Sequence, residues 1–322
     1  MEQEKKNISV SIVIPLYNKE KYIRKTLLSV LNQSCRNFEI VVVDDGSTDN
    51  SIEVVRSFND SRIRIIFQEN QGVSAARNRG IAEAKYELIA FLDADDEWKP
   101  EYLQTQCDLF CKYPECSVFA CNYIFRDATG KISPTIIRKL PFNGMDGILT
   151  NYFEVASCSH PPLCTSAIVV EKKAVLSVGG FNTKIGHGED ILTWAKLAAK
   201  YAIAYSGNPV SIYNLADNSG YNSVPVNIPQ GDIVGKELVS MLKIITPGYK
   251  KDFKKYIGHW YKIRASLFLR GNESKNFMIC YFKSLKYNPL NYRIWGYIFF
   301  IFIPNSYRNK IFKCITSIIN KK

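Results

Sequence analysis

The sequence predicts an α/β fold with a mostly parallel central sheet flanked by helices, followed by a C-terminal helical extension. Short β-branched apolar segments alternate with segments of helical periodicity through the first hundred residues. The 322 residues, 46% hydrophobic and 22% charged, suffice for one large core or two ordinary domains. Residues 230–322 carry 18 basic and 4 acidic side chains, whereas residues 1–229 carry 24 and 26. This asymmetry predicts an α/β domain over 1–225 and a basic, mostly helical region over 226–322.

The first strand is predicted at residues 8–14 (ISVSIVI), whose apolar β-branched side chains suit a strand buried on both faces. We expect Pro15 to end this strand and Asn18 to cap the helix that follows. Further strands are predicted at 38–43, 62–67, 88–92, 117–123 and 165–170. Helices are predicted around Ile52 and Val55, at 72–85 and at 190–201, with a linker at 217–229.

The cysteines and the apolar segments indicate in which cellular compartment the protein lies. The nine cysteines are odd in number and lack a CxxC pair, which predicts buried free thiols in a reducing compartment. Residues 1–7 lack the apolar core of a signal peptide. The longest apolar run has ten residues, about half of what a membrane-spanning helix needs. We therefore expect a cytoplasmic protein.

Two acidic segments follow predicted strands. Residues 44–49, the first acidic loop, and residues 93–96, the second acidic loop, lie where ligands bind in open α/β sheets. The five carboxylates that directly follow the two strands would repel one another unless a cation were bound, and oxygen ligands favour Mg²⁺ or Mn²⁺. They are those of Asp44, Asp45, Asp93, Asp95 and Asp96. A diphosphate bridged by such a metal is the expected ligand. The alternative is that these acids only cap helices in solvated turns.

No glycine-rich phosphate-binding motif follows any predicted strand. Both the GxGxxG fingerprint and the GxxxxGK[ST] loop are absent from the sequence, which argues against a dehydrogenase and a P-loop kinase. A metal and a cation such as Arg77 would then have to balance the phosphate charge.

Five segments in order carry a family resemblance: SIVIPLYN (11–18), VVVDDGSTD (41–49), NQGVSAARNRG (70–80), FLDADD (91–96) and GED (188–190). This series resembles family 2 glycosyltransferases of the GT-A fold and covers about two thirds of the chain. The resemblance implies a nucleotide-sugar donor at the sheet edge, with the nucleoside between Pro15 and Tyr17 and the base bound by Asp45, with Asp44 beside it. It places Arg77 near the phosphates, Asp93 and Ala94 near the ribose or sugar, and Asp95 on the Mn²⁺ or Mg²⁺.

The same resemblance implies that Asp190 is the general base of an inverting transfer. Glu189 and His187 would contact the acceptor or the phosphates. The structural alternative for Glu189 and Asp190 is an acidic first turn that complements a helix dipole. Processive members of this family, which make long polymers, carry a QxxRW-type motif. This sequence lacks that motif, so we expect transfer of a single sugar.

The basic C-terminal region allows three interpretations. Nucleic acid would be attracted by the charge, but no groove-reading motif is visible, so we expect no nucleic-acid partner. Solvated helix faces around a small core are the second interpretation. The third is peripheral membrane contact through aromatic and basic side chains. These are Arg293, Trp295, Tyr297, Phe299, Phe300, Phe302, Arg308, Lys310 and Lys313.

The resemblance thus implies an enzyme that moves one sugar from a nucleotide-sugar donor to a hydroxyl of a glycan or lipid-linked saccharide in cell-surface polysaccharide synthesis. We expect the donor to be a UDP-sugar. Two alternatives remain: a polyprenyl-phosphate glycosyltransferase, and a non-catalytic nucleotide-binding membrane adaptor. The acidic loops argue against the adaptor, because unneutralised carboxylates carry an electrostatic cost that a bound metal and diphosphate would offset.

Overall fold

The computed structural model describes residues 8–215 and 231–303, together with positions 307 and 311. The chain divides into two compact units, Met1–Leu215 and Ala216–Lys322. Three sequence-based predictions lie outside the described residues: the N-terminal segment 1–7, the linker 217–229 and the basic side chains Arg308, Lys310 and Lys313.

Within the described part of the first unit, ten strands form one sheet. They are β1 (Val10–Leu16), β2 (Phe38–Asp44), β3 (Ile63–Phe67), β4 (Leu88–Phe91), β5 (Glu97–Trp98), β6 (Val118–Arg126), β7 (Ile132–Pro134), β8 (Asp146–Ile148), β9 (Ile168–Glu171) and β10 (Ile203–Asn214). The helices are α1 (Ile23–Leu31), α2 (Ser51–Arg56), α3 (Val73–Glu83), α4 (Tyr102–Lys112), α5 (Tyr152–Cys158), α6 (Lys172–Ser177) and α7 (Glu189–Lys200), with a 3₁₀ turn at Thr165–Ala167.

The strand order is β3-β2-β1-β4-β9-β6-β10-β5, with β7 beside β6 and β8 beside β10. Strands β3, β2, β1 and β4 are parallel, as alternation of strand and helix predicts. Strand β9 runs antiparallel to both of its neighbours, and β6 and β10 are parallel to each other. The α/β class is therefore confirmed, and the sheet as a whole is mixed.

The turn after β1 differs from its prediction. Pro15 does not end the strand; it pairs with Val43 in register, and β1 continues to Leu16, because the fixed φ of proline is compatible with an extended chain. Asn18 does not cap α1. It has a φ of 51°, and its Oδ1 accepts a hydrogen bond from the Thr48 backbone at 2.8 Å. Asparagine tolerates this left-handed conformation, and the bond joins the turn to the first acidic loop.

Helix α3 packs unusually close to β1. A Cβ atom added at Gly80 would lie 2.2 Å from Val13 Cγ1, so the approach of the helix depends on glycine. The helix begins after Gly72, whose φ of +88° also favours glycine. This placement buries Arg77, on α3, against the sheet.

The described cysteines match the prediction of buried free thiols only in part. All eight are free, and Cys107, Cys116, Cys121 and Cys280 are buried. Cys111, however, is exposed on α4, so the expectation of burial is wrong there. Position 111 lies on the solvent side of an amphipathic helix, whose buried side includes Cys107.

The second unit is helical, as predicted. It contains α8 (Ile233–Met241), α9 (Lys250–Arg270), α10 (Ser274–Tyr287) and α11 (Tyr292–Trp295), with 3₁₀ turns at Pro247–Tyr249 and Gly296–Phe302. An apolar stripe on α9 forms the core of this unit, with Phe253, Tyr256, Ile257 and Trp260 buried. Arg264 is also buried, so not every basic side chain of the unit lies on a solvated helix face.

Asp232 connects three helices of this unit. Its carboxylate accepts hydrogen bonds from the Gly235 backbone at 3.0 Å, from Trp260 Nε1 at 3.2 Å and from Lys283 Nζ at 3.3 Å. It thus caps α8 and holds it to α9 and α10. No helix among the described residues has both the length and the apolar character needed to cross a membrane.

Candidate functional site

The two acidic loops lie at one edge of the sheet, as predicted. Strand β1 pairs with β2 on one side, where Leu16 lies opposite Asp44, and with β4 on the other, where Val13 lies opposite Phe91. Because all three strands are parallel, their carboxyl ends meet at this edge. The turn after β1 is joined to the first acidic loop by the Asn18 backbone N–H, which donates to Ser47 Oγ at 3.1 Å.

In the first acidic loop, the carboxylates bind the chain itself. Asp45 is only 3% exposed. It accepts hydrogen bonds from Gln68 Nε2 at 2.7 Å and from the backbone N–H groups of Gln71 at 2.9 Å and Gly72 at 2.8 Å. Asp44 accepts one from the Ser47 backbone at 3.2 Å. The three bonds of Asp45 fix residues 68–72, which lead into α3. Binding of backbone N–H groups near the start of a helix is part of what the helix-capping alternative predicted for the first acidic loop.

The two residues expected to flank a nucleoside differ in accessibility. Pro15 is buried within β1, whereas Tyr17 just beyond the strand is 46% exposed. The ring of Tyr17 is therefore available to a ligand at this edge, and Pro15 supports the strand beneath it.

In the second acidic loop, the carboxylates pair with side-chain cations. The Asp95 carboxylate accepts from Lys19 Nζ at 2.5 Å, and that of Asp93 accepts from Arg77 Nη2 at 2.7 Å. Both acidic side chains are about a quarter exposed, at 26% and 27%. Ala94 between them is buried, and its carbonyl accepts from Thr26 Oγ1 at 2.9 Å.

Asp96, the last residue of the loop, points into the protein. Its carboxylate accepts from Ser166 Oγ at 2.5 Å and from the Asn214 backbone at 2.9 Å. Burial raises its pKa well above the ordinary value, and the charges of Asp93 and Asp95 raise it further. Asp96 thus ties the second acidic loop to Ser166 and to β10.

Arg77 connects the second acidic loop to α7. Its Nη2 binds Asp93, and its Nη1 donates to Glu189 at 2.8 Å across 112 residues of sequence. The guanidinium is buried, lies 5.2 Å from the ring centroid of Phe181, and leaves Nε without a partner. Burial acts to lower the Arg77 pKa, but the charges of Asp93 and Glu189 outweigh it and raise the pKa. The resemblance implied that Arg77 lies near the phosphates of the donor. In the structure, two carboxylates already balance the charge of its guanidinium.

The predicted general base lies at the start of α7. The helix begins at Glu189, directly after Gly188 in the left-handed region with φ of +85°. Burial and the neighbouring Glu189 charge raise the pKa of Asp190 to about 6, although Arg77 opposes the shift. His187 is exposed two residues before the helix. The structure therefore brings Asp93, Arg77, Glu189 and Asp190 into one electrostatic network.

The structure adds residues that the sequence did not indicate. Lys19 is one, since nothing in its sequence context marks it as a partner of Asp95. Tyr213 on β10 is another: its neighbour Asn214 donates its backbone N–H to Asp96 and its side-chain amide to the Asp95 carbonyl, which brings this end of β10 to the second acidic loop. Burial and the charges of Asp96, Asp93 and Asp95 raise the pKa of Tyr213. Its ring centroid lies 5.8 Å from that of Phe125, which in turn lies 5.4 Å from that of His160.

The fit of the expected metal depends on Asp93 and Asp95. Within the described residues, no three His, Cys, Asp or Glu side chains are arranged to hold a metal. Mg²⁺ commonly takes only one or two protein carboxylates and completes its coordination with phosphate oxygens and water. The two partly exposed carboxylates fit that pattern, on the condition that the Lys19 ammonium moves away from Asp95.

The sequence is similar to a known protein family and to several known proteins. The sequence model of glycosyl transferase family 2 matches residues 11–162. EpsH of Bacillus subtilis, named as a glycosyltransferase, is 42% identical over 127 residues, which cover 38% of this chain and 36% of EpsH. TuaG of Bacillus subtilis, named as a teichuronic acid biosynthesis glycosyltransferase, is 30% identical over 214 residues, covering 65% of this chain and 80% of TuaG. The match with EpsH thus spans about a third of that relative's length.

Solved structures agree on the fold. Residues 1–349 of S. aureus TarS match with a TM-score of 0.63 at 18% identity, covering 89% of this chain and 82% of that one. The same fragment in complex with UDP-GlcNAc matches with a TM-score of 0.59 at 17% identity, covering 88% and 93%. The architecture is the GT-A fold that the sequence predicted. Taken with the matched motifs and the match along most of TuaG, this places the chain in glycosyltransferase family 2.

Proposed function

We propose that this protein is an inverting glycosyltransferase that moves one sugar from a UDP-sugar to a hydroxyl of a glycan or lipid-linked saccharide in cell-surface polysaccharide synthesis. The observation that carries the proposal is the Asp93–Arg77–Glu189 bridge, which joins the second acidic loop to the helix turn that bears Asp190. Two relatives support the substrate classes: TuaG is named for teichuronic acid biosynthesis, and TarS was crystallised with UDP-GlcNAc.

The donor is proposed to lie along the sheet edge. Tyr17 would stack on the nucleoside above Pro15, and Asp45, with Asp44 beside it, would bind the base. A carboxylate offers about four acceptor positions, and Asp45 uses three of them within the chain. Asp45 therefore serves the donor mainly by fixing the loop that surrounds the base. Asp93, Ala94 and Asp95 would line the ribose, sugar and diphosphate.

Arg77 is proposed as a positioning residue. Its two terminal nitrogens are occupied by Asp93 and Glu189, so its charge is already balanced. Arg77 fixes the position of the Asp93 carboxylate relative to the start of α7. Orientation of this kind supplies much of the acceleration of a two-substrate reaction.

Asp190 is proposed to remove the proton from the acceptor hydroxyl. The acceptor oxygen forms a bond to the anomeric carbon while the bond to the diphosphate oxygen breaks, and the electron pair leaves with the diphosphate. The proton remains on Asp190, and the configuration at the anomeric carbon is inverted. A pKa of about 6 suits this task, since Asp190 is ionised at neutral pH yet more basic than an ordinary aspartate.

A divalent ion, Mn²⁺ or Mg²⁺, is proposed at Asp95 with support from Asp93. When bound, it would stabilise the negative charge of the departing diphosphate. In its absence Lys19 neutralises Asp95. Because Lys19 is a cation next to the expected diphosphate position, it is also suited to contact a phosphate oxygen once it leaves the carboxylate.

The acceptor is proposed to approach past Tyr213. This ring is 37% exposed beside the second acidic loop and packs edge-on against Phe125. Aromatic faces of this kind suit the apolar face of a sugar ring. His160 also packs against Phe125 and accepts a hydrogen bond from the Ile136 backbone at 2.9 Å, so it helps to hold Phe125 in place. His187 and Glu189 remain proposed contacts of the acceptor or the phosphates.

A nucleotide panel tests the donor assignment. We expect UDP with Mn²⁺ to raise the midpoint of thermal unfolding more than GDP, CMP or dTDP, and more than UDP alone. A ligand at a hundred times its dissociation constant stabilises the native state by about 2.7 kcal/mol, which is several degrees for a domain of this size. No shift with any nucleotide would contradict the assignment of a nucleotide-sugar donor site.

The acceptor class is tested separately with the preferred UDP-sugar. Transfer to a saccharide hydroxyl is expected, with inverted configuration at the new linkage. Transfer only to a polyprenyl phosphate would favour the polyprenyl-phosphate glycosyltransferase alternative.

A further inference from the structure

Helix α10 presents an apolar face to solvent between two lysines. Lys275, Ile279, Phe282 and Lys286 are all exposed, and their spacing of four, three and four residues places them on one side of the helix. Ile279 is 47% exposed and Phe282 60%. We call these four residues the lysine-flanked face.

The opposite side of α10 already has its partner. Phe277, Cys280, Tyr281 and Ser284 are buried, and Ser284 Oγ donates to the Gly258 carbonyl of α9 at 2.7 Å. Packing within the unit therefore accounts for one side of the helix and leaves the other without an explanation. An exposed Ile and Phe in adjacent turns cost hydration free energy that binding to an apolar phase would recover.

The surrounding charge identifies the kind of partner. From residue 230 onward, 18 basic side chains face only 4 acidic ones. Asp232 is bound to Lys283, Asp252 forms an ion pair with Lys255 at 2.7 Å, and Glu273 accepts from Asn276. The basic charge is thus largely uncompensated, and no acidic residue belongs to the lysine-flanked face.

We propose that the lysine-flanked face binds an anionic phospholipid surface. Ile279 and Phe282 enter the boundary between head groups and acyl chains, while Lys275 and Lys286 contact anionic head groups. A second copy of the chain is disfavoured as the occupant, because it would bring two strongly basic units together. The same unit exposes Trp295 by 53% and Phe299 by 70%, aromatic residues of the kind enriched at membrane interfaces. This proposal does not depend on the donor or on the reaction.

Vesicle cosedimentation of the full chain tests the proposal. Vesicles of phosphatidylcholine alone are compared with vesicles that also contain phosphatidylglycerol, and we expect binding only to the second. Ile279→Ser with Phe282→Ser should weaken that binding by about tenfold or more, since two exposed apolar side chains no longer enter the interface. Lys275→Glu with Lys286→Glu should weaken it by at least about tenfold, because each lysine near such a surface contributes about fivefold.

Lys250→Glu with Lys254→Glu is the matched control. These lysines are exposed on α9 of the same unit, and the change in net charge is identical. We expect this control to retain most of the binding, and all three variants to keep the circular dichroism and unfolding midpoint of the wild type, because the changed side chains are exposed.

Four results would overturn the proposal. Equal losses of vesicle binding in the Lys275/Lys286 variant and in the Lys250/Lys254 control would indicate general charge attraction without a defined binding face. Full binding of the serine variant would exclude entry of Ile279 and Phe282 into the interface. A concentration-dependent dimer in light scattering that the serine variant abolishes would assign the face to a second copy. Tight binding of an oligonucleotide that requires the same four residues, with no vesicle binding, would assign it to nucleic acid.

Discussion

The two acidic loops have similar sequences and opposite environments. In the first, Asp45 is enclosed and accepts three hydrogen bonds from the polypeptide, two of them from backbone N–H groups. In the second, Asp93 and Asp95 are partly exposed and pair with Arg77 and Lys19. A carboxylate bound by the backbone fixes a loop, whereas one held by side-chain cations can exchange its partner for a ligand.

The second loop is also the one connected to the proposed base. Arg77 joins Asp93 to Glu189, whose charge helps to raise the Asp190 pKa. A strand followed by aspartates is therefore one sequence signal with two physical outcomes. The deciding factor is whether backbone donors or side-chain cations satisfy the carboxylate, and the following predictions test this distinction.

The largest expected effect is that of Asp190→Asn. Removal of a general base lowers the rate of the chemical step by about 10²–10⁴-fold, while UDP binding should change little. The measurement is kcat for sugar transfer, with UDP affinity measured in parallel. Asp127→Asn, on an exposed turn of the same unit, is the control and should retain full activity. A kcat of Asp190→Asn within a few-fold of the wild type would remove Asp190 from the reaction.

The pH profile should report the same residue. Asp190 acts only when ionised, and burial raises its pKa to about 6, so protonation below that pH removes the base. We expect kcat/KM for transfer to fall about tenfold per pH unit below pH 6 and to level off above it. A profile that stays flat down to pH 4.5 would contradict the raised pKa.

In the first acidic loop, Asp45→Ala should act on stability. The substitution removes the carboxylate that accepts from the N–H groups of Gln71 and Gly72, and hydrogen bonds to a charged group contribute about 1.5–3 kcal/mol. Urea unfolding in the absence of ligands measures this loss. Asp108→Ala, whose exposed carboxylate accepts a hydrogen bond from Gln104 Nε2 at 2.8 Å, is the control and should cost less. Equal stability of Asp45→Ala and wild type would show that the loop does not depend on these bonds.

The smallest expected effect is that of Lys19→Ala. If a divalent ion binds at Asp95 as proposed, Lys19 competes with it, but the ion pair is partly exposed, and such pairs contribute about 0.2–1 kcal/mol. Mn²⁺ binding without nucleotide, measured by electron paramagnetic resonance, should therefore tighten by up to about fivefold. Lys21→Ala, exposed two residues away, should leave the affinity unchanged. Weaker Mn²⁺ binding by Lys19→Ala would contradict the competition.

The sequence predicted the sheet edge well because chain connectivity determines it. Parallel strands joined by helices bring their carboxyl ends together, and both acidic loops follow from that rule. Strand β10 was missed, since Gly207 and Pro209 interrupt its pattern and coincide with register shifts against β6. Position 213 consequently had no assigned strand, and its location beside the acidic loop could not be predicted.

The partners of the carboxylates could not be predicted for a different reason. Arg77 and Glu189 are 112 residues apart, and Lys19 and Asp95 are 76 apart, so their pairing exists only in the folded chain. The motifs indicated that Asp45 and Asp95 are both important. Only the tertiary contacts separate the loop-fixing carboxylate from the exchangeable one.

The most direct test of this distinction is thermal unfolding of the wild type, Asp45→Ala and Asp95→Asn, each with and without UDP and Mn²⁺. We predict that Asp95→Asn unfolds within about one degree of the wild type without ligand, because a partly exposed ion pair contributes little, and that it loses most of the ligand-induced shift. Asp45→Ala should instead unfold several degrees lower without ligand. A full UDP and Mn²⁺ shift in Asp95→Asn, or an unchanged midpoint in Asp45→Ala, would contradict the assignment of separate tasks to the two acidic loops.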